Sequence, residues 1–335
     1  MTNRQILLTS RPEAEATVDN FTMVSTPVPD LTDGQVLIRH LFLSLDPYMR
    51  GRMNDAKSYA PPQKLNEVMI GGTAGEVAAS KHPGFAVGDQ VVGIGGWQEY
   101  SVIDGGGRAV RKVDTSRIPL PAYLGVVGMP GVTAWYGLLK ICEPKPGNTI
   151  TVTAASGAVG SVVGQLAKAK GCRAIGFAGG PEKCRYVTDE LGFDACIDYK
   201  AHADSKALYQ ALKAVTPDGI DGHFENVGGP ILDAVLFRMN DFGRIAMCGM
   251  ISGYDGEPIP LRNPQLILTS RLRVEGFIVS EHMDVWPAAL TELGGMVAAG
   301  RIKYRETIAE GLDAAPEAFL GMLKGKNFGK QLVKI

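Results

Sequence analysis

A glycine-rich stretch, AASGAVGSVVGQ at residues 154–165, has the composition of a loop that binds phosphate. Aligned with the pattern GxGxxG, it places Ala155, Gly157 and Gly160 at the three glycine positions. The second glycine lets backbone approach a pyrophosphate, and the third lets a helix pack closely on the preceding strand. A helix after the loop would add N–H groups and the positive end of its dipole. We therefore predict a pyrophosphate site; a tight turn without a ligand is the alternative.

The residues after this loop indicate which dinucleotide would bind. A second predicted strand, RAIGFA, follows at 173–178. Enzymes that use NAD place Asp or Glu at the end of this strand to bind the ribose diol. Here the strand runs into two glycines, the second being Gly180, and Lys183 comes soon after. An open turn followed by a cation favours the 2′-phosphate of NADP(H). A solvated Lys183, with Glu182 binding the diol, is the alternative.

These residues lie in a region, 126–303, where predicted strands and helices alternate. Such alternation predicts βαβ units and a parallel sheet. We therefore expect an α/β fold with a doubly wound, Rossmann-type parallel sheet. The predicted strands lie at 149–155, 173–178, 195–199, 222–227, 244–249 and 273–279.

The rest of the chain has another pattern. Residues 1–125 read as short strands broken by Gly, Pro and Asp, for example 36–45, 68–80 and 85–94, which predicts a β-barrel or sandwich. A length of 335 residues fits two such domains. The tail, 304–335, reads as strand, helix and strand, and we expect it to return to the first domain.

Composition excludes several classes of function. The chain is 45% hydrophobic and 21% charged, has a net charge of −1 and contains no block of Lys and Arg, so we expect no nucleic-acid or membrane partner. No apolar run approaches the ~18 residues of a membrane helix. None of the five cysteines forms a CxxC pair, and the first residues lack the apolar core of a signal peptide. These features predict reduced thiols in a cytoplasmic protein.

Further motifs are spread along the whole chain: LSLDPYMRGRM (43–53), MPGVTAWYGLL (129–139), AASGAVGSVVGQLAKAKGC (154–172), AGGPEKC (178–184), FENVGG (224–229), CGMIS (248–252), GFIV (276–279) and GKNFGK (325–330). They resemble the zinc-independent medium-chain dehydrogenases/reductases of the leukotriene hydroxydehydrogenase/prostaglandin reductase type, a group that includes plant double-bond reductases and bacterial NADPH-dependent curcumin reductases. The resemblance implies a GroES-like β-barrel substrate domain at 1–125 and a homodimer that pairs the edges of nucleotide-domain sheets.

The same resemblance bears on metal binding. Zinc alcohol dehydrogenases of the superfamily carry a Cys after an early strand and a later Gly-His-Glu motif. At the corresponding stretch, GGTAGE (71–76), this chain has Gly72 and Thr73 in place of the His and Glu, and its first cysteine is Cys142. Zinc needs about four N, S or O ligands. We therefore predict no metal.

The resemblance implies an enzyme that acts on CH–CH donors with NADP(H). It would reduce the C=C bond of an α,β-unsaturated ketone or aldehyde, with hydride added to the β-carbon. Such a reaction needs donors for the developing oxyanion and a proton source. A quinone reductase of the same superfamily is the first alternative. A protein that binds NADP(H) without turnover is the second.

The resemblance also implies roles for individual residues, at the positions of this chain that match the family's motifs. Tyr254, after CGMIS, matches the tyrosine proposed to donate a proton or support the enolate; orienting the ribose is its alternative role. Tyr48 would be the second catalytic residue. Arg50 would bind substrate or phosphate, unless it pairs with Asp46. Tyr59 would line the substrate pocket, unless it lies on a surface loop.

The predicted cofactor contacts fall into three sets, from pyrophosphate to nicotinamide. Plain core packing is the alternative for Cys248 and Phe277. The sets are Ala155, Gly157, Val159 and Gly160 at the pyrophosphate; Gly180, Lys183 and Tyr199 at the 2′-phosphate; and Thr133, Asn226, Cys248, Phe277, Val279 and, from the tail, Asn327 at the ribose and nicotinamide.

Overall fold

The computed structural model describes residues 1–107, 109–202, 204–256 and 259–335. Contacts divide the chain into unit 1, Met1–Gly125 with Glu306–Ile335, and unit 2, Val126–Arg305. Unit 2 ends at Arg305, two residues after the predicted boundary between residues 303 and 304, because the first strand of the tail begins at Glu306. Within the described ranges, no helix is long and apolar enough to cross a bilayer.

Unit 2 is built on a six-stranded sheet whose neighbouring strands are all parallel. Its order is β11-β10-β9-β12-β13-β14, with the strands numbered along the chain. The chain starts in the middle, moves to one edge, returns and moves to the other, so the predicted doubly wound Rossmann sheet is confirmed. The strands are β9 Thr149–Val152, β10 Arg173–Ala178, β11 Ala195–Asp198, β12 Ile220–Glu225, β13 Met239–Met247 and β14 Arg273–Gly276.

Helices connect these strands, and glycines end several of them. The helix after the glycine-rich loop ends where Gly171 takes φ +77° and the Cys172 N–H bonds back to the Ala167 carbonyl, as in a Schellman motif. π-Helical turns, Gly137–Cys142 and Tyr186–Glu190, continue the helices Met129–Tyr136 and Pro181–Arg185. The helices of unit 2 are α2 Met129–Tyr136, α3 Gly160–Ala169, α4 Pro181–Arg185, α5 Ser205–Val215, α6 Pro230–Leu236, α7 Gln265–Thr269 and α8 Trp286–Ala298.

Unit 1 is rich in β-structure. One sheet has the order β2-β1-β4; the other has the order β15-β16-β3-β5-β6-β8, with β7 also paired to β3. Its strands are β1 Thr2–Leu8, β2 Phe21–Pro27, β3 Gln35–Ser44, β4 Glu67–Val68, β5 Thr73–Ser80, β6 Gln90–Gly93, β7 Tyr100–Asp104, β8 Val110–Lys112, β15 Glu306–Glu310 and β16 Lys330–Lys334. Its helices are α1 Tyr48–Arg52 and α9 Ala315–Leu323. The relation to GroES-like barrels stays a prediction.

The tail forms part of the core of unit 1. Strand β16 pairs antiparallel with β3 and parallel with β15. Phe319 of α9 packs edge-on against Trp97, with ring centroids 5.6 Å apart, and Trp97 stacks on Phe21 at 5.2 Å. All three rings are buried. Because this aromatic cluster takes rings from both ends of the sequence, unit 1 needs residues 306–335 to complete its core.

Candidate functional site

The glycine-rich loop turns tightly between β9 and α3. Ala154 has φ +52°, and its carbonyl accepts the Gly157 N–H at 2.9 Å. Ala155 is fully buried and donates its N–H to the Phe177 carbonyl. A Cβ on Gly160 would lie 2.4 Å from the Ala154 carbonyl oxygen. The loop thus packs backbone on backbone, and it leads into α3, where the Ser161 N–H bonds to the Gly157 carbonyl and the Val162 and Val163 N–H groups bond to the Val159 carbonyl. The positive end of the α3 dipole lies at this loop. This fits the pyrophosphate of a dinucleotide.

The close approach at Gly160 gives a stability prediction. Gly160→Ala should lower the free energy of unfolding by about 1–3 kcal/mol, because the new methyl group overlaps backbone that cannot move away cheaply. Gly295, in α8, would have no atom within 4 Å of an added methyl group and serves as the matched control. Gly295→Ala should raise the same free energy by about 0.5–1 kcal/mol. Urea unfolding of both variants checks this; equal shifts would contradict it.

The turn after β10 is held open by an acid from the neighbouring strand. Asp198 Oδ1 accepts the Gly180 N–H at 2.8 Å and the Lys200 N–H at 3.1 Å. Gly180 has φ +101°, a conformation that favours glycine. A Cβ on Gly179 would lie 2.8 Å from the Tyr199 hydroxyl and 2.9 Å from Lys200 Cε. Tyr199 and Lys200 therefore lie directly against this turn.

Two cations lie near this turn. Burial lowers the pKa of Lys183, and the charge of Lys200 lowers it further. Two like charges this close favour an anion between or beside them. Glu182, the alternative ribose ligand, is exposed. Lys200 directly follows Tyr199 but was not predicted as a site residue; only its close approach to Gly179 reveals it.

A buried carboxylate organises the carboxyl end of β12. Glu225 is fully buried, and its Oε1 accepts the Thr153 hydroxyl at 2.6 Å, the Val227 N–H at 2.6 Å and the Gly228 N–H at 3.0 Å. Its Oε2 lies 3.0 Å from His223 Nε2. This network of Thr153, His223 and Glu225 was not predicted from the sequence. It fixes the loop that follows β12.

The same network positions Asn226. The Asn226 side chain donates to the Thr153 carbonyl at 2.8 Å, and its backbone N–H donates to the Thr153 hydroxyl at 2.7 Å. The Glu225 carbonyl accepts the N–H groups of Cys248 and Gly249 at 2.9 and 3.1 Å. The loops after β9, β12 and β13 are therefore hydrogen-bonded to one another at the carboxyl edge of the sheet, where open α/β sheets bind ligands.

Tyr254 lies beside this edge. A 3-10 turn, Ile251–Gly253, follows β13, and the Tyr254 N–H bonds to the Ile251 carbonyl. The Tyr254 hydroxyl lies 3.2 Å from where a Cβ on Gly249 would be. The side chain is partly exposed. Burial and Glu225 raise the pKa of the nearby Cys248 thiol to about 12, so Cys248 is a neutral thiol and not a nucleophile.

The remaining predicted residues of unit 2 are packed. Phe277 is buried, with its ring centroid 5.4 Å from that of Tyr136 and 6.1 Å from that of Phe224. Val279 is buried and begins the 3-10 turn Val279–Glu281 that follows β14. The Thr133 hydroxyl donates to the Met129 carbonyl within α2. The Phe277 ring is therefore packed in the core, which was the alternative role for this residue. Phe277 directly follows β14, at a strand end where a ligand contact stays a prediction.

In unit 1 the DPYMR motif is anchored by a buried ion pair. Lys330 Nζ donates to Asp46 Oδ1 at 2.8 Å and to the Leu45 carbonyl at 2.6 Å, and the Ser44 hydroxyl donates to Asp46. The Asp46 carbonyl in turn accepts the Met49 N–H at the start of α1. Lys330 and Asp46 are both buried, with exposed fractions of 4% and 5%. Arg50 was the partner of Asp46 considered from the sequence; the observed partner Lys330 was not predicted.

The predicted residues around this pair have different environments. Arg50 is 2% exposed and donates to the Asn54 side chain at 2.7 Å and to the Ala14 carbonyl at 2.5 Å. Burial raises the pKa of Tyr48 well above its ordinary value, with Asp46 adding to the effect, so its hydroxyl stays protonated. Tyr59 is 49% exposed, with the Arg52 guanidinium over its ring.

Asn327 lies in the turn before β16. Its side-chain amide donates to the Gly329 carbonyl at 2.8 Å. This bond stabilises the turn between α9 and β16. The predicted nicotinamide contact of Asn327 stays a prediction.

Two family descriptions match the chain: "N-terminal domain of oxidoreductase" at residues 4–113 and "Zinc-binding dehydrogenase" at 158–294. With the sheet order and glycine loop, they define a dehydrogenase/reductase that carries a Rossmann unit. Among the described side chains of His, Cys, Asp and Glu, no group of three or more is placed to hold a metal ion.

Full-length relatives narrow the class. The chain is 46% identical to the NADPH-dependent curcumin reductase of Escherichia coli, over 99% of this chain and 97% of that protein. It is 41% identical to the 2-alkenal reductase (NADP(+)-dependent) of Nicotiana tabacum, over 100% and 98%. It matches the crystal structure of CurA in complex with NADPH from Vibrio vulnificus with a TM-score of 0.92 and 46% identity, over 99% and 98%. The chain therefore belongs to the zinc-independent medium-chain dehydrogenases/reductases of the leukotriene hydroxydehydrogenase/prostaglandin reductase type, as its motifs predicted.

Proposed function

We propose that this chain catalyses the NADPH-dependent reduction of the C=C bond of α,β-unsaturated ketones and aldehydes. The observation that carries the proposal is that the chain is 46% identical to a curcumin reductase and 41% identical to a 2-alkenal reductase over essentially its full length. Curcumin and 2-alkenals share one reactive group, a C=C bond conjugated to a carbonyl. Bound NADPH would supply the hydride for the β-carbon of that group.

The residues of unit 2 would bind the coenzyme in three places. The loop at Ala155, Gly157, Val159 and Gly160 and the N-terminus of α3 would hold the pyrophosphate. Gly180, Lys183 and Tyr199, together with Lys200, would hold the 2′-phosphate, because charge-assisted bonds to phosphate are the strongest the turn can offer. The ribose and nicotinamide would lie along Thr133, Asn226, Cys248, Phe277 and Val279.

Tyrosines would stabilise the negative charge that develops on the substrate and would supply the proton. As hydride reaches the β-carbon, negative charge develops on the carbonyl oxygen, and a positioned O–H stabilises it. Tyr254 would donate this hydrogen bond and then a proton toward the enolate. Tyr48 would act as a neutral donor, since its raised pKa makes it a weaker acid. Arg50 and Tyr59 would contact substrate.

An absorbance assay tests this function. Purified protein is mixed with NADPH, or with NADH in parallel, and with a trans-2-enal, a simple enone, curcumin or a quinone. We expect fast NADPH oxidation with the enal and enone and a saturated carbonyl product. Oxidation with the quinone alone would replace the proposal with a quinone reductase, and tight NADPH binding without any turnover would make the chain a non-catalytic binder.

The choice of coenzyme gives a second prediction. Lys183→Ala should raise KM for NADPH by about tenfold, the loss of one charge-assisted bond, and leave KM for NADH nearly unchanged. Lys213→Ala removes the same charge from the exposed face of α5 and should change neither value. Steady-state kinetics with both coenzymes measures this. An equal rise for NADPH and NADH would refute the assignment of Lys183 to the 2′-phosphate.

We also propose a homodimer in the cytoplasm, formed through β14. This strand ends the sheet of unit 2, so its outer edge has unpaired backbone groups that another strand can pair with. Exposed apolar side chains lie on or near it: Val274 is 40% exposed, Leu268 78% and Phe242 70%. Small-angle scattering should give twice the mass of one chain. A monomer mass would refute the dimer.

A further inference from the structure

Two cysteines of unit 2 face each other where α4 meets β11. The Cys196 thiol donates a hydrogen bond to Cys184 Sγ, and the two sulfur atoms are 3.1 Å apart. Both residues are partly exposed. Cys142 and Cys172 differ, because they are buried and donate to the backbone carbonyls of His223 and Lys145. The facing thiols have no place in the proposed reduction.

The geometry gives the two thiols different chemistry. The hydrogen bond from Cys196 lowers the pKa of Cys184, although burial and the charge of Asp198 oppose this. The same hydrogen bond raises the pKa of Cys196, so Cys196 keeps its proton. The thiolate is the nucleophilic form of cysteine. Thiols that respond to oxidants are accessible, have a low pKa and lie next to a second, resolving thiol.

We propose that Cys184 and Cys196 form a peroxide-reactive dithiol that closes to an intramolecular disulfide. The Cys184 thiolate attacks a hydroperoxide oxygen; an S–O bond forms, the O–O bond breaks, and the departing oxygen takes a proton to leave as water or alcohol. The Cys196 sulfur then attacks the Cys184 sulfur, forming the S–S bond and breaking the S–O bond. The hydroxyl leaves as water with the thiol proton. The two thiols lose two electrons, and the peroxide gains them.

The place of the dithiol connects it to the 2′-phosphate turn. Cys184 directly follows Lys183, and Cys196 is two residues before Asp198, which holds the Gly180 N–H. A disulfide bond is about 2.05 Å long, so closure brings the two sulfur atoms, now 3.1 Å apart, about 1 Å closer and pulls on both elements. Resting on the proposed function, we expect this shift to weaken NADPH binding. Strand β11 is at the opposite edge of the sheet from β14, so the proposed dimer leaves the thiols accessible.

Mass spectrometry tests the dithiol directly. The reduced full-length protein is treated with hydrogen peroxide, denatured, alkylated and mapped as peptides. We expect a cross-linked peptide that joins Cys184 to Cys196 and disappears after dithiothreitol treatment. Cys196→Ser should stop at a Cys184 sulfenic acid that dimedone traps, and Cys184→Ser should leave Cys196 reduced. Cys172→Ser is the matched control and should still form the cross-link.

Two results would overturn the dithiol: full alkylation of Cys184 and Cys196 after peroxide, or linkage of either to another cysteine or another chain. The effect on coenzyme is read from NADPH fluorescence. Oxidised wild-type protein should bind NADPH several-fold more weakly than reduced protein. Peroxide should change the NADPH affinity of Cys196→Ser by a different factor, because this variant cannot form the disulfide. Equal affinities would refute the coupling. A protein that binds no NADPH in either form would contradict the proposed function and leave the dithiol standing.

Discussion

Replacing Tyr254 with Phe should lower kcat for enone reduction by about 10²-fold and leave the affinity for NADPH within about twofold. Phe keeps the ring but removes the hydroxyl, which is the atom that lies beside Gly249. The lost hydroxyl is the group that would stabilise the developing oxyanion and protonate the enolate. Stopped-flow and steady-state kinetics with a simple enone measure kcat, and fluorescence titration measures NADPH binding.

The split between kcat and binding separates two roles of Tyr254. A tyrosine that only orients the ribose would, when replaced, change NADPH affinity more than kcat. Tyr209→Phe is the matched control: it removes a hydroxyl from α5 elsewhere in unit 2, and its ring packs on Phe237. Wild-type kcat in Tyr254→Phe would show that water supplies the proton. Tyr48→Phe should have a smaller effect on kcat, because the raised pKa of Tyr48 allows hydrogen bonding but disfavours proton transfer.

Local sequence patterns predicted the sheet of unit 2 well. Strands such as Arg173–Ala178 are short apolar runs that end in glycines, and parallel strands buried on both faces have this pattern. Strand β13 begins at Met239, earlier than the predicted 244, because its first residues include Asn, Asp and Gly and read as a turn. Met239 is nevertheless paired with Ile220 of β12. Pairing with a neighbouring strand supplies hydrogen bonds that no local pattern reveals.

The site was predicted less completely, and the missing residues share a cause. Lys330 and Glu225 are charged residues that sequence patterns place on a surface, yet both are buried against partners distant in sequence. Lys330 pairs with Asp46, 284 residues away, and Glu225 accepts from Thr153, 72 residues away. Motif resemblance located residues expected to touch ligand. The groups that hold those residues in place became visible only with the fold.

Removing the Glu225 carboxylate should be the most destabilising change in unit 2. Glu225→Ala should lower the free energy of unfolding by about 3–5 kcal/mol, because three hydrogen-bond donors lose their acceptor inside the protein. Glu225→Gln keeps one carbonyl oxygen for these donors and should cost less. Glu281→Ala, an exposed acid of the same unit, is the control and should stay within about 0.5 kcal/mol of wild type. Urea unfolding measures all three variants.

The pH dependence of stability tests the same carboxylate independently. Burial alone would raise the pKa of Glu225, but the hydrogen bond and charge of His223 and the hydroxyl of Thr153 hold it below the ordinary 4.5. The folded state therefore favours the charged form, so the stabilisation is fully present above pH 4.5 and is lost as pH falls through the lower folded-state value. Wild-type stability should fall in that range more steeply than that of Glu225→Gln. If the stabilities of wild type and Glu225→Gln fall equally with pH, the Glu225 charge does not hold this loop. The network would then act only through its shape.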